Sequence, residues 1–173
     1  MINKKTLAKI SLFIIAAILI ISLSANAGKI ILPEGTKVKI KFDPNMTINS
    51  GVVGKGIPLL IYLAEPVMVG GETIIEKDAL GKAEVVEVKK ASKPGKPGYI
   101  KVAFVELEPR GDFKTADGSN IKLKGEIEAK GKGKKLLSIL LGFGLLIKGG
   151  QGSINTDMIY EAEILESIVM QSE

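Results

Sequence analysis

The sequence predicts an all-β fold: one barrel or sandwich of short strands over residues 28–173, with a single apolar insertion, a short helix or strand, near its C-terminal end. Three observations predict it. Gly and Pro punctuate this stretch roughly every eight to twelve residues, with β-branched residues between them, as in many short strands joined by turns. In the clearest segments apolar and polar residues alternate with a period of two. Between Gly28 and Lys130 no long helical period occurs, and strands do not alternate with helical stretches.

Thr36–Phe42 is the plainest early strand. Val38, Ile40 and Phe42 alternate with Lys37, Lys39 and Lys41, so one face is apolar and the other is lysine. Ile57–Leu63 is a nearly continuous apolar run, which predicts deeper burial. Pro66, after Glu65, predicts an edge or a bulge, because proline cannot donate to a ladder. Thr73–Ile75 and Lys82–Lys89 read as the next strands, and Lys93-Pro94-Gly95-Lys96-Pro97-Gly98 as a loop. Tyr99–Leu107 is a long strand, apolar on both faces at first. Asp117-Gly118 marks a turn. Ile121–Glu128 then alternates as a single strand: Ile121, Leu123 and Ile127 face one side, and Lys122, Lys124, Glu126 and Glu128 the other. Met158–Leu165 supplies the closing strand. Gly35-Thr36-x-Val38 and Asp78-Ala79-x-Gly81 echo one another as turns that feed strands, which is turn chemistry rather than a repeat array.

The first 27 residues form a separate unit. Lys4, Lys5 and Lys9 stand without an acid before Ile10–Leu23, where Ser11 and Ser22 alone interrupt 14 residues of apolar sequence. A spanning helix needs about 20 apolar residues, so this run has the length of a signal-peptide core. Ala25 and Ala27 follow in A-x-A spacing. The expectation is a cleavable signal peptide at 1–27 and an exported domain at 28–173, in the periplasm, in the outer membrane or at the cell surface; an uncleaved anchor is the alternative.

Charge and composition narrow the function. The chain has 24 basic and 19 acidic residues; without Lys4, Lys5 and Lys9 it has 21 against 19, a net +2. That balance is no argument for a nucleic-acid partner, and none is expected. Cys, His and Trp are all missing. Their lack removes disulfides, the thiol nucleophile, the commonest general base and the usual soft metal ligands.

One segment departs from the strand pattern. Lys134 and Lys135 precede 12 residues, Leu136–Ile147, in which only Ser138, Gly142 and Gly144 interrupt large apolar side chains, and Lys148 follows. Lys130-Gly131-Lys132-Gly133 and Gly149-Gly150-Gln151-Gly152 flank it, reading as hinges that let the block move independently of the sheet. As a helix it spans about 18 Å, too short for a hydrocarbon core of about 30 Å; as a tilted strand it is long enough. A buried core element, a membrane-contacting segment and a self-association surface all fit, since periodicity cannot separate them. The candidate contact residues are Lys134, Lys135, Leu136, Leu137, Ile139, Leu140, Leu141, Phe143, Leu145, Leu146, Ile147 and Lys148, toward a membrane, an envelope protein or a second copy of the chain.

Catalytic patterns are thin. There is no G-x-S-x-G elbow, and no Gly-Lys pair is followed by Ser or Thr as in a P-loop. Ser119-Asn120-Ile121-Lys122 matches S-x-x-K, but it opens a strand, where positions three apart point to opposite faces. Glu106 with Glu108, Glu126 with Glu128, and Glu161 with Glu163 could each share a strand face; paired carboxylates do acid–base work on glycosides, yet a solvated face explains them as well. Asp112, Asp117 and Asn120 lack calcium-loop spacing. Lys89, Lys90, Lys93 and Lys96 read as a solvated hairpin tip, with weak attraction to anionic glycan or lipid as the alternative. No catalytic, cofactor or metal site is expected.

The order of several motifs resembles a known family. These are Leu32-Pro33-x-Gly35-Thr36, Ile48-Asn49-Ser50, Gly56 before an apolar strand, Ile75-x-Lys77-x-Ala79, Gly98-Tyr99-Ile100 and Asp117-Gly118-x-x-Ile121-x-Leu123. Together they are similar to the C-terminal β-barrel domain of the outer-membrane scaffold subunit of conjugation and type IV secretion systems. That family carries an apolar insertion after the strand corresponding to Ile121–Glu128, where Lys135–Ile147 falls, and its copies ring together through it in the outer membrane. The family also has a cytoplasmic tail, a retained inner-membrane helix and a proline-rich linker, which a cleavable signal replaces here. The resemblance implies a secreted, barrel-only relative.

The expected function is a non-enzymatic envelope structural or assembly protein that associates with membrane or partner subunits, or with copies of itself, through Leu136–Ile147. The alternative is a soluble periplasmic binding module for a small ligand or anionic glycan, with its site at a barrel mouth.

Overall fold

The structure, a computed structural model, describes residues 28–132 and 149–172. The signal-peptide expectation for 1–27 and the apolar block at 136–147 lie outside the described residues. Among the described residues there is no helix, and fourteen strands follow in order: β1 (Lys29–Leu32), β2 (Lys37–Phe42), β3 (Ile48–Asn49), β4 (Pro58–Leu63), β5 (Val67–Val69), β6 (Glu72–Ile75), β7 (Leu80–Lys89), β8 (Tyr99–Leu107), β9 (Phe113–Thr115), β10 (Ile121–Lys124), β11 (Glu126–Lys130), β12 (Ser153–Ile154), β13 (Tyr160–Ile164) and β14 (Ile168–Ser172).

Six of these close into an antiparallel barrel in the order β13-β2-β4-β7-β8-β10, with β10 returning to β13. Closure removes the sheet edges that would otherwise template aggregation. β11 continues past Gly125 along the outer half of β8, while β1-β14-β9, β5-β6 and β12-β3 form small additional sheets. The alternation in β2 works as its sequence predicts: Val38, Ile40 and Phe42 are buried and Lys37 and Lys39 are in water. Ile61, Val85, Ile100, Val102 and Phe104 fill the interior with them. Phe42 lies 6.1 Å from the Phe104 ring and meets Tyr160 edge-on at 5.7 Å. Each such side chain, taken fully out of water, stabilises the fold by about 1.5–3 kcal/mol before the entropy of ordering is counted.

Three expectations need correction. Ile57–Leu63 is not buried throughout: Leu59, Ile61 and Leu63 face the core, but Leu60 is 40% and Ile57 45% exposed. A barrel wall has one wet face, and composition alone cannot distinguish it from a strand covered on both sides. Tyr99–Leu107 likewise buries one face only, through Ile100, Val102, Phe104 and Leu107; a register shift at Lys82/Ala83 sets the three-residue step between the last two. Ile121–Glu128 is not one strand but two. Gly125, at φ 150°, breaks it where a Cβ would lie 3.2 Å from Phe104 and 3.3 Å from the Ala162 backbone. The break lets β10 turn toward β13 while β11 stays with β8.

The echo between residues 35–38 and 78–81 is more than local turn chemistry. Gly35 donates its amide to the Ile164 carbonyl and Ile164 donates back to Thr36; Asp78 donates to Leu63, and Leu63 donates back to Ala79. Each turn joins an outlying strand to a barrel strand, β1 to β2 and β6 to β7. Around them β4-β5-β6-β7 and β13-β14-β1-β2 repeat one arrangement: the outer pair forms barrel wall and the inner pair a separate ribbon. The second copy is discontinuous in sequence.

Candidate interaction surface

Lys89, Tyr99 and Lys130 stand abreast where β7 ends, β8 begins and β11 ends. Just beyond them the chain is fastened together by backbone hydrogen bonds. The Gly131 amide donates to the Gly98 carbonyl at 2.8 Å, the Gly98 amide to the Gly150 carbonyl at 2.8 Å, and the Gly150 amide to the Lys132 carbonyl at 2.9 Å. The chain therefore leaves this end at Lys132 and re-enters beside it at Gly149–Gly150. The predicted contact residues, Lys134 to Lys148, lie between these points and outside the described residues; what the structure places is their attachment.

Among the described flanking glycines, Gly131, Gly149 and Gly152 are packed too closely to serve as hinges. A Cβ on Gly131 would run into the Gly150 carbonyl, and one on Gly98 into the Ser50 hydroxyl. Glycine is needed for close approach, which makes this a clasp. Ser50 locks it: its buried hydroxyl donates to Gln151 Oε1 at 2.7 Å and accepts the Gly152 amide at 3.0 Å, and its own amide donates to the Gly152 carbonyl at 2.8 Å. Gln151 Oε1 also accepts the Ala91 amide at 3.0 Å. Three loops, at 48–53, 90–98 and 149–152, thus meet at one point. The glycine-rich flanks were visible in the sequence; that they close on each other depends on partners 60 and 101 residues away.

Lysines surround the clasp. Lys90, Lys93, Lys96, Lys130 and Lys132 are exposed, and Lys55 joins them from the 50–57 loop. Lys89 is held by Glu87 at 2.7 Å and lies 6.0 Å from the centre of the Tyr99 ring. Tyr99 donates its hydroxyl to Glu128 at 2.7 Å, and that bond to a carboxylate, before burial, pushes its pKa up to about 12.

Two of the three carboxylate pairs have a lysine on one member. Glu126 and Glu128 share a face, as predicted, but Lys101 sits on Glu126; this hydrogen bond holds the Lys101 ammonium above its ordinary pKa. Glu161 binds Lys37 at 2.7 Å. Glu106 and Glu108 border a cleft of about 380 Å³ on the outer wall, beside Leu60, Leu80 and Lys82. Ser119 donates to Asp117 at 2.8 Å while Lys122 pairs with Glu166 at 3.2 Å, so the S-x-x-K residues are turned to different partners. Among the described residues no cluster of three carboxylates could hold a metal ion. No protein-family model, curated protein or solved structure matches the chain.

Proposed function

We propose that this protein is a non-enzymatic structural or assembly component of the cell envelope, exported by its leader, which associates with a membrane or with partner subunits through Leu136–Ile147. The observation that carries this reading is the clasp. A lysine-bracketed apolar segment leaves and re-enters the barrel at one rigid, lysine-rich point, an attachment suited to presenting it outward. The resemblance to the secretion-scaffold barrel leads to the same reading and adds the expectation that copies associate through the segment.

Every described strand lies within 28–173, so that form of the chain is the one to assay. Flotation with vesicles containing anionic phospholipid, at low and high salt, is the test. Floating in both salts supports apolar insertion. Remaining at the bottom in both overturns the membrane form of the proposal and favours a second reading, a soluble periplasmic module for a small ligand or anionic glycan. The outer-wall cleft beside Leu60 and Leu80 is the observation on its side.

A further inference from the structure

We infer that the clasp end of the barrel is itself a face for anionic phospholipid, with Val52 as a second apolar contact and Lys55, Lys90, Lys93 and Lys96 as head-group contacts. This rests on the reading that the chain associates with membrane, and names a contact within the described fold that is separate from Leu136–Ile147.

Val52 is 68% exposed, the most exposed large apolar side chain among the described residues. Its position is fixed: the Val52 and Val53 amides both donate to the Asn49 carbonyl at 3.1 Å, and the Gly51 amide donates to Asn49 Oδ1 at 2.9 Å. The turn satisfies its own backbone, so nothing local requires an apolar residue at its tip. A single exposed valine is ordinary on a protein surface and would mean nothing alone. What gives it meaning is its surroundings. Gly51 lies against Gln151, to which Ser50 and Ala91 are bonded, so the Val52 turn, the lysine loop at 90–98 and the clasp are one rigid unit.

The charge around that unit is one-sided. Lys55, Lys90, Lys93, Lys96, Lys130 and Lys132 have no ion-pair partner among the described residues, and the sequence from 133 to 148 contains no acid to supply one. The nearby acids are engaged, Glu87 by Lys89, Glu126 by Lys101 and Glu128 by the Tyr99 hydroxyl. On the barrel wall Lys37, Lys39, Lys41, Lys101 and Lys122 each hold a carboxylate, while Lys82 and Lys124 have none among the described residues. A domain of small net charge has thus gathered unpaired lysines around a fixed apolar tip. Phosphate head groups over an acyl layer answer both features; a soluble glycan answers only the charge. Each lysine at an anionic bilayer surface raises the partition about fivefold, and salt screens that gain.

The test measures partition of 28–173 onto phosphatidylcholine vesicles with and without phosphatidylglycerol. Replacing Lys90, Lys93 and Lys96 together by Gln should lower partition onto the anionic vesicles on the order of a hundredfold at low salt. Val52→Asn, which removes the apolar contact without adding charge, should lower it about tenfold in low and high salt alike. Lys29→Gln with Lys114→Gln, at the β1-β14-β9 sheet, should change it little, and all variants should keep the parent's thermal midpoint because none of the replaced lysines has an ion pair among the described residues. If the parent chain fails to bind vesicles, the membrane reading itself falls. If the parent binds but the triple-lysine and Val52 variants bind equally well, this face is overturned while insertion through Leu136–Ile147 stands. Loss with the lysines but not with Val52, together with displacement by soluble dextran sulfate, would also overturn it, assigning the lysines to a polyanion rather than a bilayer.

Discussion

Gly35 and Asp78 hold equivalent places in two turns of the barrel: each donates its amide at 2.9 Å to the carbonyl of a barrel residue, Ile164 and Leu63 respectively, and each has positive φ, 74° and 61°. An L side chain is strained there, and Asp is one of the few that tolerates the left-handed region. Gly35→Ala should therefore lower stability by about 1 kcal/mol, and Gly35→Asn by less, measured by urea unfolding. Equal losses for both would show that the cost is not backbone strain.

Asp78 also makes the barrel sensitive to acid. Its hydrogen bond to Lys41, at 2.6 Å, holds the carboxyl below its ordinary 3.8. A carboxyl lowered on folding stabilises the fold above its unfolded pKa, and that contribution disappears as pH falls through the folded value. The stability difference between the parent and Asp78→Asn should thus be present at neutral pH and shrink on the acid side of 3.8. A difference that stays constant through that window would remove the Lys41–Asp78 pair as its cause.

Tyr99 offers an optical reporter of the clasp end. With its hydroxyl on Glu128 it should ionise at about 12 in an ultraviolet titration. The raised pKa contributes stability below the unfolded value of 10.0, and this is lost as pH rises through about 12. Glu128→Gln should bring the Tyr99 transition back toward its ordinary value. No movement on that substitution would place the cause elsewhere.

The clasp leaves no space for a methyl group. Gly131→Ala should cost about 1–3 kcal/mol, the usual range for overpacking, because the atom displaced is the Gly150 carbonyl rather than a flexible side chain. Gly118→Ala, at an open turn with nothing within 4 Å, should show backbone strain alone. A Gly131→Ala chain as stable as the parent would mean that the clasp opens at little cost.

Leu140→Lys separates an outward segment from a buried one. Under the proposed function the variant keeps the parent's unfolding transition and loses vesicle flotation. An unpaired charge placed in a core costs several kcal/mol, so a collapse of stability would assign Leu136–Ile147 to the interior instead.

Much of the barrel was legible in short-range pattern. Lys37–Phe42 alternates because a barrel wall has one dry and one wet face, and period two records that directly. Pro94, Gly95, Pro97 and Gly98 announced the loop before β8 through turn chemistry alone. β1, β3, β5, β9, β12 and β14 were missed because most are two to four residues long, and such a segment has too few positions to show a period. The candidate site was legible in part. Its apolar segment and flanking lysines stand out in composition, whereas Val52 looked like any loop valine.

By itself, then, the amino-acid sequence determined the all-β class, the lysine-bracketed segment and the glycines beside it, because each follows from neighbours within a few residues. Tertiary structure alone decided that Gly131, Gly149 and Gly152 close a clasp rather than form hinges, that Gly125 splits one alternating run so that the barrel can shut, and that the turns at Gly35 and Asp78 match. Each of these depends on a backbone group brought close from far along the chain, Gly150 for Gly131, Ala162 for Gly125 and Ile164 for Gly35. Such contacts arise only when strands distant in sequence pair, and local periodicity carries no record of that pairing.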